Sequence, residues 1–117
     1  MTVISLPSRS DFNAVFKSPD AKVSNRDFLV LAKHREHAVS HRIGFVTSKK
    51  KIRRAVDRNR FRRIIREHLR HQNADRFADI VVIARQNPGH LWSTQYQTQL
   101  DQVFAKLFKT LQKPYGE

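Results

Sequence analysis

The chain has 117 residues, with 23 lysines and arginines against 10 aspartates and glutamates, for a formal net charge of +13. Such an excess opposes compaction and favours a polyanionic partner, nucleic acid ahead of an anionic membrane. There is no cysteine, which excludes disulfides, thiolate metal sites and thiol catalysis, and no run approaches the roughly 18 apolar residues that a membrane span needs.

The first residues, "MTVISLPSRSDF", lack a basic region followed by a long apolar stretch, so no secretion signal is expected and the expected location is the cytoplasm. The length suits one domain over residues 1–117, with no repeat, low-complexity segment or linker. "SRSDFNAVFKS" predicts a short helix capped by Ser10, with Phe12, Val15 and Phe16 on one side and a stop at Ser18 before Pro19. "DFLVLAK", Asp27 to Lys33, predicts a strand. "HREHAVSH" predicts a polar connection. "RIGFVTSK" predicts a second strand, with Ile43, Phe45 and Thr47 on one face and Gly44, Val46 and Ser48 on the other.

"AVDRNRFRRIIREHLR", Ala55 to Arg70, predicts an amphipathic helix. At about 100° per residue, Phe61, Ile64, Ile65 and Leu69 share one face, with His68 among them. Asn59, Arg62, Arg63, Arg66 and Arg70 share the opposite face, Arg60 lies at the boundary, and Arg58 falls on the apolar side. Glu67 is placed to pair with Arg63, four residues earlier. "DIVVIAR", Asp79 to Arg85, predicts a central strand covered on at least one face, and "QNPGH" a turn. Tyr96, Leu100, Val103, Phe104, Leu107, Phe108 and Leu111 mark a last amphipathic helix, the expected main cover of the sheet. The order α-β-β-α-β-α predicts an α+β sandwich around a small mixed sheet.

Charge is concentrated in one place. Lys49 to Arg70 carry eleven basic and two acidic residues, +9 of the chain's +13. Lys49, Lys50, Lys51, Arg53 and Arg54 crowd the start of the arginine-rich helix, where cations oppose the helix dipole. With the backbone N–H groups of that end they make a phosphate site. A solvated face would carry mixed signs, and this one does not.

"KKKIRRAVDRNRFRRIIRE" resembles the arginine-asparagine-arginine signature of the bacterial ribonuclease P protein subunit. "DFNAVFK", "RIGFVTSKK", "DIVVIAR" and the final helix follow in the family's order. Two departures are visible: Arg53 stands where many members have glycine, and Arg62 where many have lysine. Both keep or add charge. The resemblance implies that a large RNA with bound divalent metal (magnesium) is the catalyst, and that the protein has no catalytic residue and binds no metal or cofactor of its own. It implies one protein docked on one catalytic RNA, holding the 5′ leader of precursor tRNA. Lys50, Lys51, Arg53, Arg54, Arg58, Asn59, Arg60, Arg62, Arg63 and Arg66 would meet the catalytic RNA. Phe12, Phe16, Lys17, Lys33 and Lys49 would meet the leader, although Phe12 and Phe16 at this spacing equally suit a core. A left-handed βαβ crossover is likewise implied by the resemblance, against the general right-handed rule.

The rivals are weaker. The acids are scattered singly, so a protein nuclease lacks its metal-binding carboxylates. His34, His37 and His41 have metal-like spacing but sit in a polar connection and are expected to be solvated. A generic RNA-associated module fits the layout and charge equally well, and only the signature separates it. A DNA reader lacks a helix-turn-helix pattern. A membrane-surface role would need the apolar face left exposed.

Overall fold

The computed structural model describes residues 3–35, 40–71, 77–86 and 94–111. The elements run β1 (Val3–Ser5), α1 (Arg9–Lys17), β2 (Ala21–Ser24), β3 (Phe28–His34), β4 (His41–Val46), α2 (Ala55–Arg70), β5 (Ala78–Ala84) and α3 (Thr94–Leu111). They form the expected α+β sandwich around one five-stranded mixed sheet, ordered β1-β4-β5-β3-β2. β4 is parallel to β1 and β5, and β3 is antiparallel to β5 and β2. α2 is thus the crossover between parallel neighbours.

Two strands were not expected. β1 has only three residues and β2 only four, too short for alternation to register over the polar residues around them. The first helix also starts earlier than expected, because its cap is Ser8 and not Ser10. Ser8 Oγ accepts from the Asp11 N–H at 3.3 Å and donates to Asp11 Oδ2 at 2.7 Å, a reciprocal pair that fixes the start. Strand β4 stops at Val46, so Thr47 and Ser48 belong to the following loop.

Side-chain parity sorts the sheet into two faces. Val30 and Ala32 of β3, Ile43 of β4, and Ile80 and Val82 of β5 turn to the face covered by α2 and α3, where they pack with Phe61, Ile65, Leu69, Leu100, Phe104 and Leu107. Each of these large side chains contributes about 1.5–3 kcal/mol on burial. Leu31 and Val81 turn to the other face and meet Val15 of α1, Leu6 and the half-buried Phe12. β5 is therefore central, as its apolar run predicted, and it is covered on both sides over most of its length. Tyr96 falls outside the described side chains.

His41 is a correction. It is fully buried at the head of β4, on the same face as Ile43, and its Nδ1 accepts the Ala78 N–H at 3.1 Å. Its ring packs against Phe77 and Phe108. Strand parity, invisible while the residue was read as connection, carries it under the helices. His34 sits beside Ala78 on β3, so Ala78 separates the two imidazoles. His37 lies outside the described residues. His68 bridges α2 and α3, with Nε2 2.9 Å from Asp101 Oδ1 and its ring stacked on Phe104.

Candidate nucleic-acid interface

The parallel pair β4 and β5 ends at one border of the sheet, and the antiparallel β3 begins there. On the face that carries α1, Val46, Ile83 and Leu29 stand side by side at this border. The next row, Gly44, Val81 and Leu31, is buried beneath α1, while Val46 is 38% exposed and Ile83 and Leu29 are half-buried. α1 is short and leaves this outer row only partly covered. The result is an apolar strip on a sheet, a surface on which unstacked bases can lie.

The chain leaves β4 at this same border and enters the basic loop. The N–H groups of Lys51 and Ile52 donate to the Ser48 carbonyl at 3.1 and 2.9 Å. Ile52 is fully buried, and this one apolar anchor holds the loop while Lys49, Lys50, Lys51, Arg53 and Arg54 are all exposed. α2 then starts at Ala55, and the N-cap residue Arg54 supplies no side-chain cap. Asp57 is the first-turn acid, and its Oδ2 lies 3.9 Å from Arg54 Nε. Five exposed cations thus surround a helix N-terminus that has no side-chain cap, an arrangement suited to an anion.

Along α2, Asn59, Arg60 and Arg63 are exposed. Arg62 and Arg66 are half-buried: Arg62 Nη2 donates to Asn59 Oδ1, and Arg66 Nη2 donates to Ser5 Oγ of β1 at 2.9 Å. Arg58 stands apart, since its Nη1 donates to the carbonyls of Ile52 and Arg53, both at 3.0 Å. At the far end Glu67 accepts from Arg70 at 2.9 Å and lies 3.2 Å from His71. These two partners, His71 first, hold its carboxyl below the usual range.

The residues expected at the leader divide into two groups. Phe12 is half-buried over Gly44, where a Cβ would overlap its ring and come within 2.9 Å of Leu6 Cδ1. Phe16, one turn on, is 43% exposed. The two phenylalanines, with Leu6, Arg9 and Asn13, line an open groove of about 710 Å³ beside α1. Lys49 lies in the loop at the strip's border. Lys17 and Lys33 lie elsewhere: Lys17 is exposed in the last turn of α1, and Lys33 Nζ donates to the Ser18 carbonyl at 3.0 Å, at the end of that helix. Lys33 pairs with Asp79, four residues along β3 from Leu29, or about 13 Å away. The fold therefore does not bring Lys33 to the strip.

Sequence reading missed the strip itself, Val46, Ile83 and Leu29, and also Arg85, which follows β5 at the same border and donates from Nη1 to the Asn25 carbonyl at 3.2 Å. Alternation assigns such residues to a face. Which row the short helix leaves open is a tertiary matter. A buried ion cluster was missed too. Arg42 holds both oxygens of Asp79 and reaches Asp11 of α1 at 3.0 Å, and Arg35 joins Asp79 at 3.2 Å. Asp79 and then Asp11 keep the Arg42 guanidinium charged by raising its pKa. Ser8 and then Arg42 hold the Asp11 carboxyl below its ordinary value.

The family model for ribonuclease P matches residues 3–108. The ribonuclease P protein component of Pseudomonas aeruginosa is 47% identical over 103 residues, covering 86% of this chain and 71% of that protein. The solved ribonuclease P protein of Staphylococcus aureus superposes with a TM-score of 0.73 at 34% identity, over 92% of this chain and 99% of that one. That of Thermotoga maritima superposes with 0.69 at 26% identity, over 93% and 98%. Sequence and architecture agree: the chain belongs to the ribonuclease P protein component family, the protein part of a tRNA-processing ribonucleoprotein enzyme.

Proposed function

We propose that this chain docks on the catalytic RNA of ribonuclease P through the basic loop and α2, and holds the 5′ leader of precursor tRNA along the apolar strip beside α1. The observation that carries the reading is the meeting of two unlike surfaces at one border of the sheet: the exposed cations Lys49, Lys50, Lys51, Arg53 and Arg54, and the partly covered row Val46, Ile83 and Leu29. Phosphates answer the first, and unpaired bases answer the second.

On this reading the protein performs no bond-breaking. Among the described residues no three His, Asp or Glu side chains gather in a way that could hold a metal ion. The divalent ions of the reaction belong to the RNA partner, and one protein serves one RNA. The protein's work is electrostatic and positional: it cancels phosphate repulsion between two RNAs and orients the leader.

The test is reconstitution. The protein is mixed with a bacterial ribonuclease P RNA and precursor tRNA at low magnesium, and 5′ cleavage is followed. The expected result is a large gain in cleavage over RNA alone, and none for protein without RNA. RNA binding without that gain would leave a generic RNA-associated module as the better description.

A further inference from the structure

Arg58 belongs to the arginine-asparagine-arginine run, yet its side chain turns inward. Its Nη1 donates to two successive carbonyls, Ile52 and Arg53, both at 3.0 Å, and the residue is half-buried where Arg60 is exposed. We propose that Arg58 is a positioning residue: it braces the loop Lys49–Arg54 from within, so that the loop's exposed cations are presented to RNA as one rigid anion site.

Three observations converge on this. The loop carries five cations that repel one another, so it spreads unless it is held. Its holds include the Ser48 turn, the buried Ile52 anchor, the long Arg54–Asp57 pair at its end and the Arg58 guanidinium. α2 has Arg54 at its N-cap position with no side-chain cap, and Arg58, one turn into the helix, ties the helix to the incoming chain at 3.0 Å. Guanidinium suits the task, because its planar donors fix direction as well as charge. Two carbonyls in succession, both aimed at one nitrogen, fix the peptide planes around Arg53 and hence the directions of the Arg53 and Arg54 side chains.

The inference rests on the proposed docking of the loop on RNA, and the two can fail separately. Arg58→Met keeps the long stem and removes the donors. Arg60→Met removes an exposed charge only. Amide hydrogen exchange in the free protein reads the brace. We expect the Lys51 and Ile52 amides to exchange at least tenfold faster in Arg58→Met, with β4 and β5 amides unchanged, and Arg60→Met to behave as the parent protein. Unchanged protection of those two amides would overturn the proposal.

RNA titrations at several salt concentrations read the consequence. Arg60→Met should flatten the salt dependence by about one phosphate contact, and Arg58→Met by more than one, since several loop contacts loosen together. Adding Lys50→Gln and Lys51→Gln should cost less in the Arg58→Met background than in the parent, because those contacts are already weakened. Strict additivity, with a one-contact loss for Arg58→Met, would make Arg58 an ordinary phosphate contact and overturn the proposal. Loss of protection with no salt-slope change in any of these variants would overturn the docking reading and this inference with it, a signature distinct from the others.

Discussion

Arg42 and Asp79 stand side by side on β4 and β5, and the guanidinium takes both carboxylate oxygens, Nε to Oδ1 at 2.7 Å and Nη2 to Oδ2 at 2.6 Å. The same guanidinium reaches Asp11, so one side chain joins two strands to α1. Asp79 is 6% exposed. Removing it leaves Arg42 and Arg35 near each other without their shared anion. Asp79→Ala should cost about 3–5 kcal/mol, as expected when one partner of a buried pair is deleted. Asp11→Ala, at the exposed end, should cost less. Urea melts decide this, and a loss below about 1 kcal/mol for Asp79→Ala would show that the cluster is solvated and weak.

Gly44 is where α1 comes down on the sheet. Gly44→Val should cost about 1–3 kcal/mol through overpacking against Phe12 and Leu6. Combining it with Phe12→Leu should recover part of the loss, because the ring is what the new side chain meets. Full additivity of the two changes in thermal melts would mean that α1 does not rest on this contact.

Phe16 and Phe12 should separate in function. Phe16 is exposed, so Phe16→Ala should leave folding intact and weaken precursor tRNA binding more than mature tRNA binding, by ~1–3 kcal/mol if a base stacks there. Phe12→Ala should mainly lower stability. Equal losses for both RNAs on Phe16→Ala would remove Phe16 from the leader site.

Arg62, Arg63 and Arg66 test docking by the helix face. Their joint replacement by alanine should weaken binding to the catalytic RNA and flatten its salt dependence by up to ~0.9 per lost phosphate contact, less where the RNA charge density is lower than in a duplex. An unchanged slope in filter-binding titrations would turn this face away from the RNA. Arg66→Ala alone should also loosen β1, through the lost bond to Ser5.

His41 should make stability depend on pH. Burial pushes its pKa down from 6.5 to about 4. Below pH 6.5 the unfolded chain takes up a proton that the folded chain refuses. Stability is therefore full above pH 6.5 and is lost as pH falls towards 4. The gap corresponds to no more than about 3 kcal/mol. Denaturant melts from pH 7 to 4 should show this slope in the parent and a shallower one in His41→Phe. Identical slopes would mean that His41 gains a proton as readily when folded.

Local patterns carried much of this protein. α2 was legible to its ends, because Phe61, Ile64, Ile65 and Leu69 recur with the helical period and the cations fill the remaining positions. β5 was legible as central from its unbroken apolar run. The basic loop was legible as a cluster of exposed cations, since clustered like charge needs no neighbour to be recognised. β1 and β2 were not legible, because strands of three and four residues show too little alternation to stand out.

Composition and periodicity alone determined a cationic helix with one apolar face to lay on a sheet, and a charge excess that suits a polyanion. Tertiary structure alone decided which side chains are free to meet it. The helical wheel set Arg58 apart from Arg62 but named no partner for either, and the fold gives one to the loop carbonyls and the other to Asn59. Phe12 and Phe16 share a stripe, yet Gly44 gives the first a seat and leaves the second in solvent. His41 looked like loop and is core. Periodicity says which way a side chain faces, but contact depends on what the rest of the chain brings opposite it.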